Sequence, residues 1–276
     1  MEALAGKNAV VVGGGHGIGR GIALALAREG MDVAILDIEE DAARSVADEV
    51  RAIGSRAHSG RADVTNRDFL QAAARDITAT LGPVHVLSNN AGVSAPQGPI
   101  SEKSDLDWQW VFSVNLFGIV NCVQTFLPGM RAHGRGGHIV NTSSTAGLVA
   151  IHDLEVGIYT ASKYACNGYT EILRGELSGE KIGVSVLCPG LIATDLSQTS
   201  ARNRPAQFGG PMPEPAGMPE EMKAQAMAAE DVGPIVVRGI KANRLTILTH
   251  PEIVLPMTQA RFDEIAVEGR AEIAER

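Results

Sequence analysis

Val10-Val11-Val12-Gly13-Gly14-Gly15-His16-Gly17-Ile18-Gly19-Arg20 runs from a β-branched stretch through a glycine cluster into a helix-period stretch, and that order decides the fold. The chain has to end a strand, turn within a few residues and start a helix. Glycines in such a turn let the backbone approach a ligand closely. The first turn of the helix then offers free N–H groups and the positive end of its dipole to a pyrophosphate. A glycine cluster by itself also makes an ordinary turn; the strand before it and the helix after it point to a dinucleotide site. Gly13, Gly15, His16, Gly17, Ile18 and Gly19 are the expected contacts.

The same alternation continues outward from this stretch. Short β-branched runs lie at Ala9–Val12, Val33–Leu36, Ala57–Ala62, Val84–Ser88, His138–Thr142, Val184–Cys188 and Thr246–Leu248. Between them, helix-period runs lie at Gly17–Glu29, Glu40–Ile53, Asp68–Leu81, Asp105–Met130, Ile158–Leu177 and Ala229–Ala242. Near-continuous apolar strands suit a sheet covered on both faces. The pattern predicts an α/β chain with a single doubly wound parallel sheet of the Rossmann type and helices on both faces. The 276 residues suffice for one domain spanning 1–276.

With 45% hydrophobic and 20% charged residues, the composition is that of an ordinary water-soluble globular chain. A net charge of −8 without a Lys/Arg cluster argues against a nucleic-acid partner. No uninterrupted run reaches the ~18 apolar residues of a membrane span, and the opening MEALAGKNAV lacks the basic-then-apolar order of a targeting segment. A cytoplasmic chain with no membrane partner is the expectation. Cys122, Cys166 and Cys188 are odd in number, widely spaced and set in apolar runs, which predicts reduced, buried thiols rather than disulfides or a metal site.

Asp37 closes the second strand, 20 residues after Gly17. A carboxylate there accepts hydrogen bonds from the adenosine ribose and repels a 2′-phosphate, which favours NAD over NADP. An acid in the Asp37–Asp41 stretch also suits the dipole of the helix it opens. Position 38 is Ile38, not the arginine that would signal NADP, and His16 is a weaker positive group. Asp63 and Val64 follow the third strand, and Asn89-Asn90-Ala91-Gly92 follows the fourth. Both lie at carboxyl ends of strands, where ligands bind in open parallel sheets.

Further along, Tyr159-Thr160-Ala161-Ser162-Lys163 falls inside the predicted Ile158–Leu177 helix, and a spacing of four puts phenol and ammonium on one face. A free tyrosine ionises near pH 10. A cation about 4 Å away, at an effective dielectric of about 20, favours a phenolate by roughly 4 kcal/mol, enough for proton exchange near neutrality. A lone Tyr-x-x-x-Lys is most often a surface contact, so the chemistry depends on what accompanies it. Ser144 lies upstream, and Asn115 breaks the apolar run Trp110–Leu116, where a buried amide has to find partners.

In order and approximate spacing, Gly13-x-x-x-Gly17-Ile18-Gly19, Asn89-Asn90-Ala91-Gly92, Asn115, Ser143-Ser144, Tyr159-x-x-x-Lys163 and Pro189-Gly190-x-x-x-Thr194 resemble the short-chain dehydrogenase/reductase family. The resemblance is strong over residues 7 to 195 and only an outline beyond them. It implies Tyr159 as general acid/base, Lys163 as the group that activates it and binds the nicotinamide ribose, and Ser144 as the residue that orients the substrate oxygen. Asn115 would hold a water behind Lys163. Asp63, Val64, Asn90, Ala91 and Gly92 would wall the adenine side, and Pro189, Gly190, Ile192 and Thr194 would lie along the nicotinamide. The implied reaction is hydride transfer between NAD and a secondary alcohol or ketone, without a metal, in a homodimer or homotetramer.

Three departures accompany the resemblance. Val12 stands where the family usually has a threonine whose hydroxyl braces the turn near Asn90. The loop Ile151–Gly157, which would border the substrate, is longer than in many members. Ser143 is the alternative to Ser144 as catalytic serine. Residues 195–228, rich in Pro, Gly and Met with Phe208, Met212 and Met218, predict a cover over an apolar substrate. That favours a bulky alicyclic, aryl or steroid-like alcohol. Ser200–Ala206 and Thr249-His250-Pro251-Glu252 are similar to segments of members acting on ring-bearing alcohols.

Pro256–Arg276 reads as a charged amphipathic helix with Met257, Phe262, Ile265 and Ala266 on one side, able to pack on its own domain or on a neighbour. Two other readings stay open: an NADP(H)-dependent carbonyl reductase, because a sequence does not reveal direction, and a catalytically silent NAD-binding regulator. The second would need Gly13–Gly19 and Asp37 but not the four polar residues together. Longer epimerase and dehydratase relatives share Tyr-x-x-x-Lys but differ in glycine spacing and carry a larger C-terminal domain.

Overall fold

The computed structural model describes residues 1, 3–152 and 155–276. In chain order the first half runs β1 (Asn8–Val12), α1 (Gly17–Arg28), β2 (Asp32–Asp37), α2 (Glu40–Ile53), β3 (Ala57–Arg61), α3 (Arg67–Thr80) and β4 (Val84–Asn89). Then come α4 (Asp105–Phe112), α5 (Ile119–His133), β5 (Gly137–Thr142), α6 (Gly157–Glu176) and β6 (Ile182–Cys188). The remainder is β7 (Ile192–Ala193), α7 (Leu196–Asn203), α8 (Glu220–Gln225), β8 (Met227–Ala228), α9 (Ala229–Lys241), β9 (Thr246–Leu248) and α10 (Pro251–Ala274).

Seven strands form one parallel sheet in the order β3-β2-β1-β4-β5-β6-β9. Successive strands move outward from β1 in one direction and, from β4, in the other. That reversal opens a crevice at the carboxyl ends of β1 and β4. Alternate strand residues supply the two faces: Val11, Val33 and Ile35 pack with Ile22 and Leu26 of α1 and Val236 and Ile240 of α9. Val10, Val12 and Leu36 pack with Leu70 and Ile77 of α3, Phe126 of α5 and Leu173 of α6. Burial on both faces is why the strands read as nearly unbroken apolar runs. Cys122, Cys166 and Cys188 are unpaired and buried, and burial pushes the Cys122 and Cys188 thiols up to about 12.

Three elements differ from the sequence expectation. The predicted Asp105–Met130 helix is interrupted by a π-helical turn at Ser113–Gly118 and continues to His133. Ser104 opens it through a reciprocal capping box with Asp107, and Gly134 at φ +62 closes it. Its length and a mean hydropathy of 1.5 would suit a membrane span, yet it packs against β4, α3 and α6.

The Pro- and Gly-rich stretch after Thr194 contains two short helices, α7 and α8, and the small parallel ribbon β7·β8. The last helix starts at Pro251 rather than Pro256, because proline fits the first turn, where no N–H is needed. Its apolar residues do not share one side: at a helical period Ile253 and Val267 lie opposite Leu255 and Phe262. Of its side chains only Val254 is buried, and Arg261 stacks on Tyr164 at 5.2 Å.

Candidate active site

The crevice begins at the glycine turn. Gly13 has φ +73, and a Cβ there would lie 2.5 Å from Ala91 N; a Cβ on Gly19 would collide with Gly13 O and come within 2.7 Å of Asn90 Nδ2. Only glycine lets α1 and the loop after β4 close on the turn this tightly. His16 precedes α1 without capping it through its side chain, and the first turn of α1 carries no acid. The leading N–H groups of α1 are therefore available to an anion.

Asn90 braces the turn: its N–H donates to Val12 O at 2.8 Å, and its amide donates to Gly13 O at 2.9 Å and accepts from Thr142 Oγ1 at 3.3 Å. The hydroxyl absent at Val12 is thus not needed to hold it. Asp37 is buried at the end of β2, where its carboxylate accepts from Gly15 N at 2.8 Å and Glu39 N at 3.1 Å. Burial pushes its pKa up, against these two bonds. Ile38 beside it is half-buried. Asp63 accepts from Thr65 N and Oγ1 at 2.9 and 2.7 Å. Val64 is buried against Gly118, and its carbonyl accepts from Asn121 at 2.9 Å.

Tyr159 and Lys163 sit one turn apart on α6. Lys163 is 3% exposed; its Nζ donates to Thr142 O at 3.0 Å and lies 5.4 Å from the centroid of the Tyr159 ring. The two candidate serines part company. Ser143 is buried and its hydroxyl donates to Lys163 O at 2.9 Å, so it holds the main chain of α6. Ser144 is half-buried and caps the 3₁₀ turn Thr145–Gly147 by accepting from Ala146 N at 3.1 Å, which leaves its O–H to donate elsewhere.

Asn115 lies in the π turn and is fully buried. π turns place an extra residue in a helix and recur at functional positions. The amide donates to Val93 O and Ser162 Oγ at 2.9 and 3.0 Å and accepts from Val93 N at 2.8 Å. A Cβ at Gly92 would stand 3.4 Å from both Asn115 Oδ1 and Lys163 Nζ, so amide and ammonium border one small space at the end of β4. One lone pair of Oδ1 remains after the bond from Val93.

On the other bank, Thr145 N donates to Pro189 O at 2.9 Å, and Gly190 N donates to Thr249 Oγ1 at 2.9 Å. Ile192 is buried in β7, and Thr194 Cγ2 would be 3.1 Å from a Cβ on Gly17, so this segment arches over the start of α1. Beyond it, Ser94 N donates to Ser200 Oγ at 3.0 Å, and Arg204 is buried against Asp107 at 2.8 Å. Trp110, Ile158, Ala95 and Phe208 form a separate apolar cluster, joined by Val93 and Met212, that adjoins Tyr159 through its neighbour Ile158. An open groove of about 420 Å³ lined by Trp108, Phe112, Phe117 and Phe208 is on another part of α4 and excludes Ser144 and Tyr159. In the Ile151–Gly157 loop, Asp153 and Leu154 lie outside the described residues.

Ser143, Ser162 and Thr142 support the site without having been singled out for that work, as do Thr249, Asp107 and Arg204. Nothing in the sequence marks them, since Arg204, the buried member of the pair with Asp107, stands among other charged and polar residues of 195–228.

The family model for the short chain dehydrogenase matches residues 7–205. The chain belongs to the short-chain dehydrogenase family. Among its relatives, the C alpha-dehydrogenase of Sphingobium sp. is 32% identical over 89% of this chain and 81% of that one. The cyclohexanol dehydrogenase of Acinetobacter sp. is 35% identical over 69% of this chain and 74% of that one. A short-chain dehydrogenase/reductase from Burkholderia phymatum, solved in complex with NAD, superposes with a TM-score of 0.86 at 35% identity, covering 97% of each chain. A metagenomic short-chain oxidoreductase solved with NADP gives 0.70 at 29% identity over 89% of this chain and 97% of that one. This short-chain dehydrogenase therefore shares its fold with both NAD- and NADP-bound members.

Proposed function

We propose that the protein is an NAD-dependent oxidoreductase interconverting a bulky, apolar secondary alcohol and its ketone. The observation that carries this is the buried Lys163 ammonium, 5.4 Å from the Tyr159 ring and bonded to Thr142 O at the carboxyl end of β5, two residues before Ser144. The glycine cradle fits a dinucleotide: side chains at Gly13 and Gly19 would fill it, and the start of α1 is free of acids. Gly13, Gly15, Gly17, Ile18 and Gly19 would hold the pyrophosphate side, and Asp63, Val64, Asn90, Ala91 and Gly92 the adenine side. Pro189, Gly190, Ile192 and Thr194 would hold the nicotinamide.

When bound, the nicotinamide supplies a hydride acceptor or donor. The Ser144 O–H donates to the substrate oxygen and fixes its direction. As a phenolate Tyr159 takes the proton from an alcohol, and as a phenol it gives one to a forming alkoxide. Lys163, held by Thr142 O, stabilises negative charge on the phenol oxygen and offers N–H groups to a ribose. Asn115 keeps the Val93 backbone in place and has one lone pair left for a water on the Lys163 side.

The cofactor choice rests on Asp37, whose carboxylate suits ribose hydroxyls and repels a 2′-phosphate. The substrate class rests on the Trp110–Ile158–Phe208 wall, with 195–228 as cover, and on a relative named cyclohexanol dehydrogenase. We read the chain as a single cytoplasmic domain that assembles into a dimer or tetramer, because Phe117 and Ile172 are more than half exposed on adjacent helices. The test is an absorbance screen for reduction of NAD and NADP across cyclic, aryl, steroid-like and short linear alcohols. NAD reduction by ring-bearing alcohols is expected. Turnover of short linear alcohols alone would refute the substrate class, and preference for NADP the cofactor.

A further inference from the structure

Thr249-His250 follows β9 as Pro189-Gly190 follows β6, and the two strands end in register at Leu248 and Cys188. Past that pair the sheet ladder stops, so the Gly190 N–H needs an acceptor from elsewhere. It donates to Thr249 Oγ1 at 2.9 Å, and Thr249 is buried. The same hydroxyl lies 2.7 Å from His250 Nδ1. A hydroxyl that accepts from Gly190 has one proton to give, and giving it to Nδ1 assigns the proton of the neutral ring to Nε2. The ring also lies against Gly190: a Cβ there would stand 2.6 Å from Nδ1 and 3.0 Å from Cγ, so only glycine fits beside it.

The bonds continue on both sides. Thr145 N, next to Ser144, donates to Pro189 O at 2.9 Å. His250 O accepts from Ile253 N and Val254 N at 3.2 and 3.1 Å, so the first turn of α10, with Val254 buried, holds the histidine. One side chain, Thr249, therefore ties the end of β9 to the segment that would lie along the nicotinamide, and that segment is tied in turn to the serine turn. Hydride transfer tolerates little error in such a place, since a misplacement of about 1 Å can cost about 100-fold in rate. Without the Thr249 hydroxyl the Gly190 N–H loses its acceptor and the segment is free to shift.

We infer that Thr249 is a positioning residue for hydride transfer, with His250 orienting its hydroxyl: the pair fixes the Gly190 main chain, and through Pro189 the turn that carries Ser144, where the nicotinamide ring would lie. The inference rests on the oxidoreductase reading. It confines the effect to one half of the dinucleotide, because the adenosine end is held by β1, β2 and the loop after β4.

The test uses the full-length protein with two probes, NADH and ADP-ribose, which lacks the nicotinamide; NADPH and the 2′-phosphate form of ADP-ribose replace them if wild type binds NADPH more tightly. Thr249→Val is expected to slow hydride transfer, measured in a single turnover with the best alcohol of the substrate screen, about tenfold or more. It should weaken NADH binding about threefold or more while ADP-ribose affinity stays within twofold of wild type. The fluorescence of bound NADH should shift toward that of free NADH. Thr249→Ser, which restores the hydroxyl, should recover most of the rate, and His250→Phe, which keeps a ring but no acceptor, should fall between Thr249→Val and wild type. If Thr249→Val does not fold, His250→Phe decides by the same three readouts. Single-turnover rate and NADH affinity within twofold of wild type overturn the inference alone, as does an equal loss of NADH and ADP-ribose binding, which would mark general damage to the fold. A wild-type protein that binds neither dinucleotide overturns the oxidoreductase reading and the inference with it.

Discussion

The glycine turn with β1, α1 and β2, and the 195–228 segment opposite, face each other across the same crevice but are held in place by different physics. The first is held by backbone geometry and burial: strands apolar on both faces, glycines where a Cβ would collide, an asparagine that ties the turn to β5. The second is held by side chains reaching distant acids, Arg204 to Asp107 and Arg202 to Glu39. The cradle therefore depends on the backbone, and the segment opposite on a few long-range side-chain contacts.

The comparison can be broken most severely at Lys163, the buried cation between the two banks. Lys163→Met is expected to lower turnover about a thousandfold or more, roughly 4 kcal/mol of transition-state stabilisation, with weaker cofactor binding because the ribose loses a donor. Steady-state kinetics and cofactor titration check both; turnover within tenfold of wild type would mean the ammonium does not act on Tyr159.

Next in size is the buried pair Arg204–Asp107. Asp107→Ala strands Arg204 and removes half of the capping box of α4, an expected loss of about 3 kcal/mol. The loss should be confined to the cover: hydrogen exchange should accelerate over residues 200–212 while amides of β1 and β4 keep their protection. Burial pushes the Asp107 carboxyl up, but Ser104 and Arg204 outweigh it and leave it below its ordinary value. Its stabilisation is therefore present above the ordinary aspartate range and lost as pH falls through the lowered value.

The smallest effect belongs to the sheet. His138 on β5 is fully buried, with Nε2 on Ser185 Oγ at 2.7 Å, and burial pushes its pKa down to about 3 from 6.5. The folded protein keeps this ring neutral while the unfolded chain takes up a proton below 6.5. Stability should fall as pH drops from 6.5 toward 3, by about 2 kcal/mol at pH 5. Urea unfolding at pH 7 and pH 5 measures the difference, and NMR titration should find His138 neutral at pH 5.

How much of this the sequence disclosed follows the same division. Helix α2 and strand β9 match their predicted ranges, and the other sheet strands shift by one or two residues at their ends, because period and burial are local properties. Tyr159 and Lys163 were legible because a spacing of four on a helix is local, and the glycines because the strand–turn–helix order around them is. The π turn around Asn115 was not, since nothing in Ser113–Gly118 departs from α-helical composition; the packing of Gly118 on Val64 and the bonds from Asn115 to Val93 are tertiary. Helix α7 was not legible within 195–228, which read only as a cover. The bond from its Arg202 to Glu39 joins residues 163 positions apart, which no spacing reveals.

The most direct test of the central claim is Tyr159→Phe, which removes one hydroxyl and leaves the ring beside Lys163. Cofactor affinity by titration should stay near that of wild type while turnover of a ring-bearing alcohol falls by about two orders of magnitude or more. Turnover equal to that of wild type would show that the proton moves through another group and would contradict the assignment.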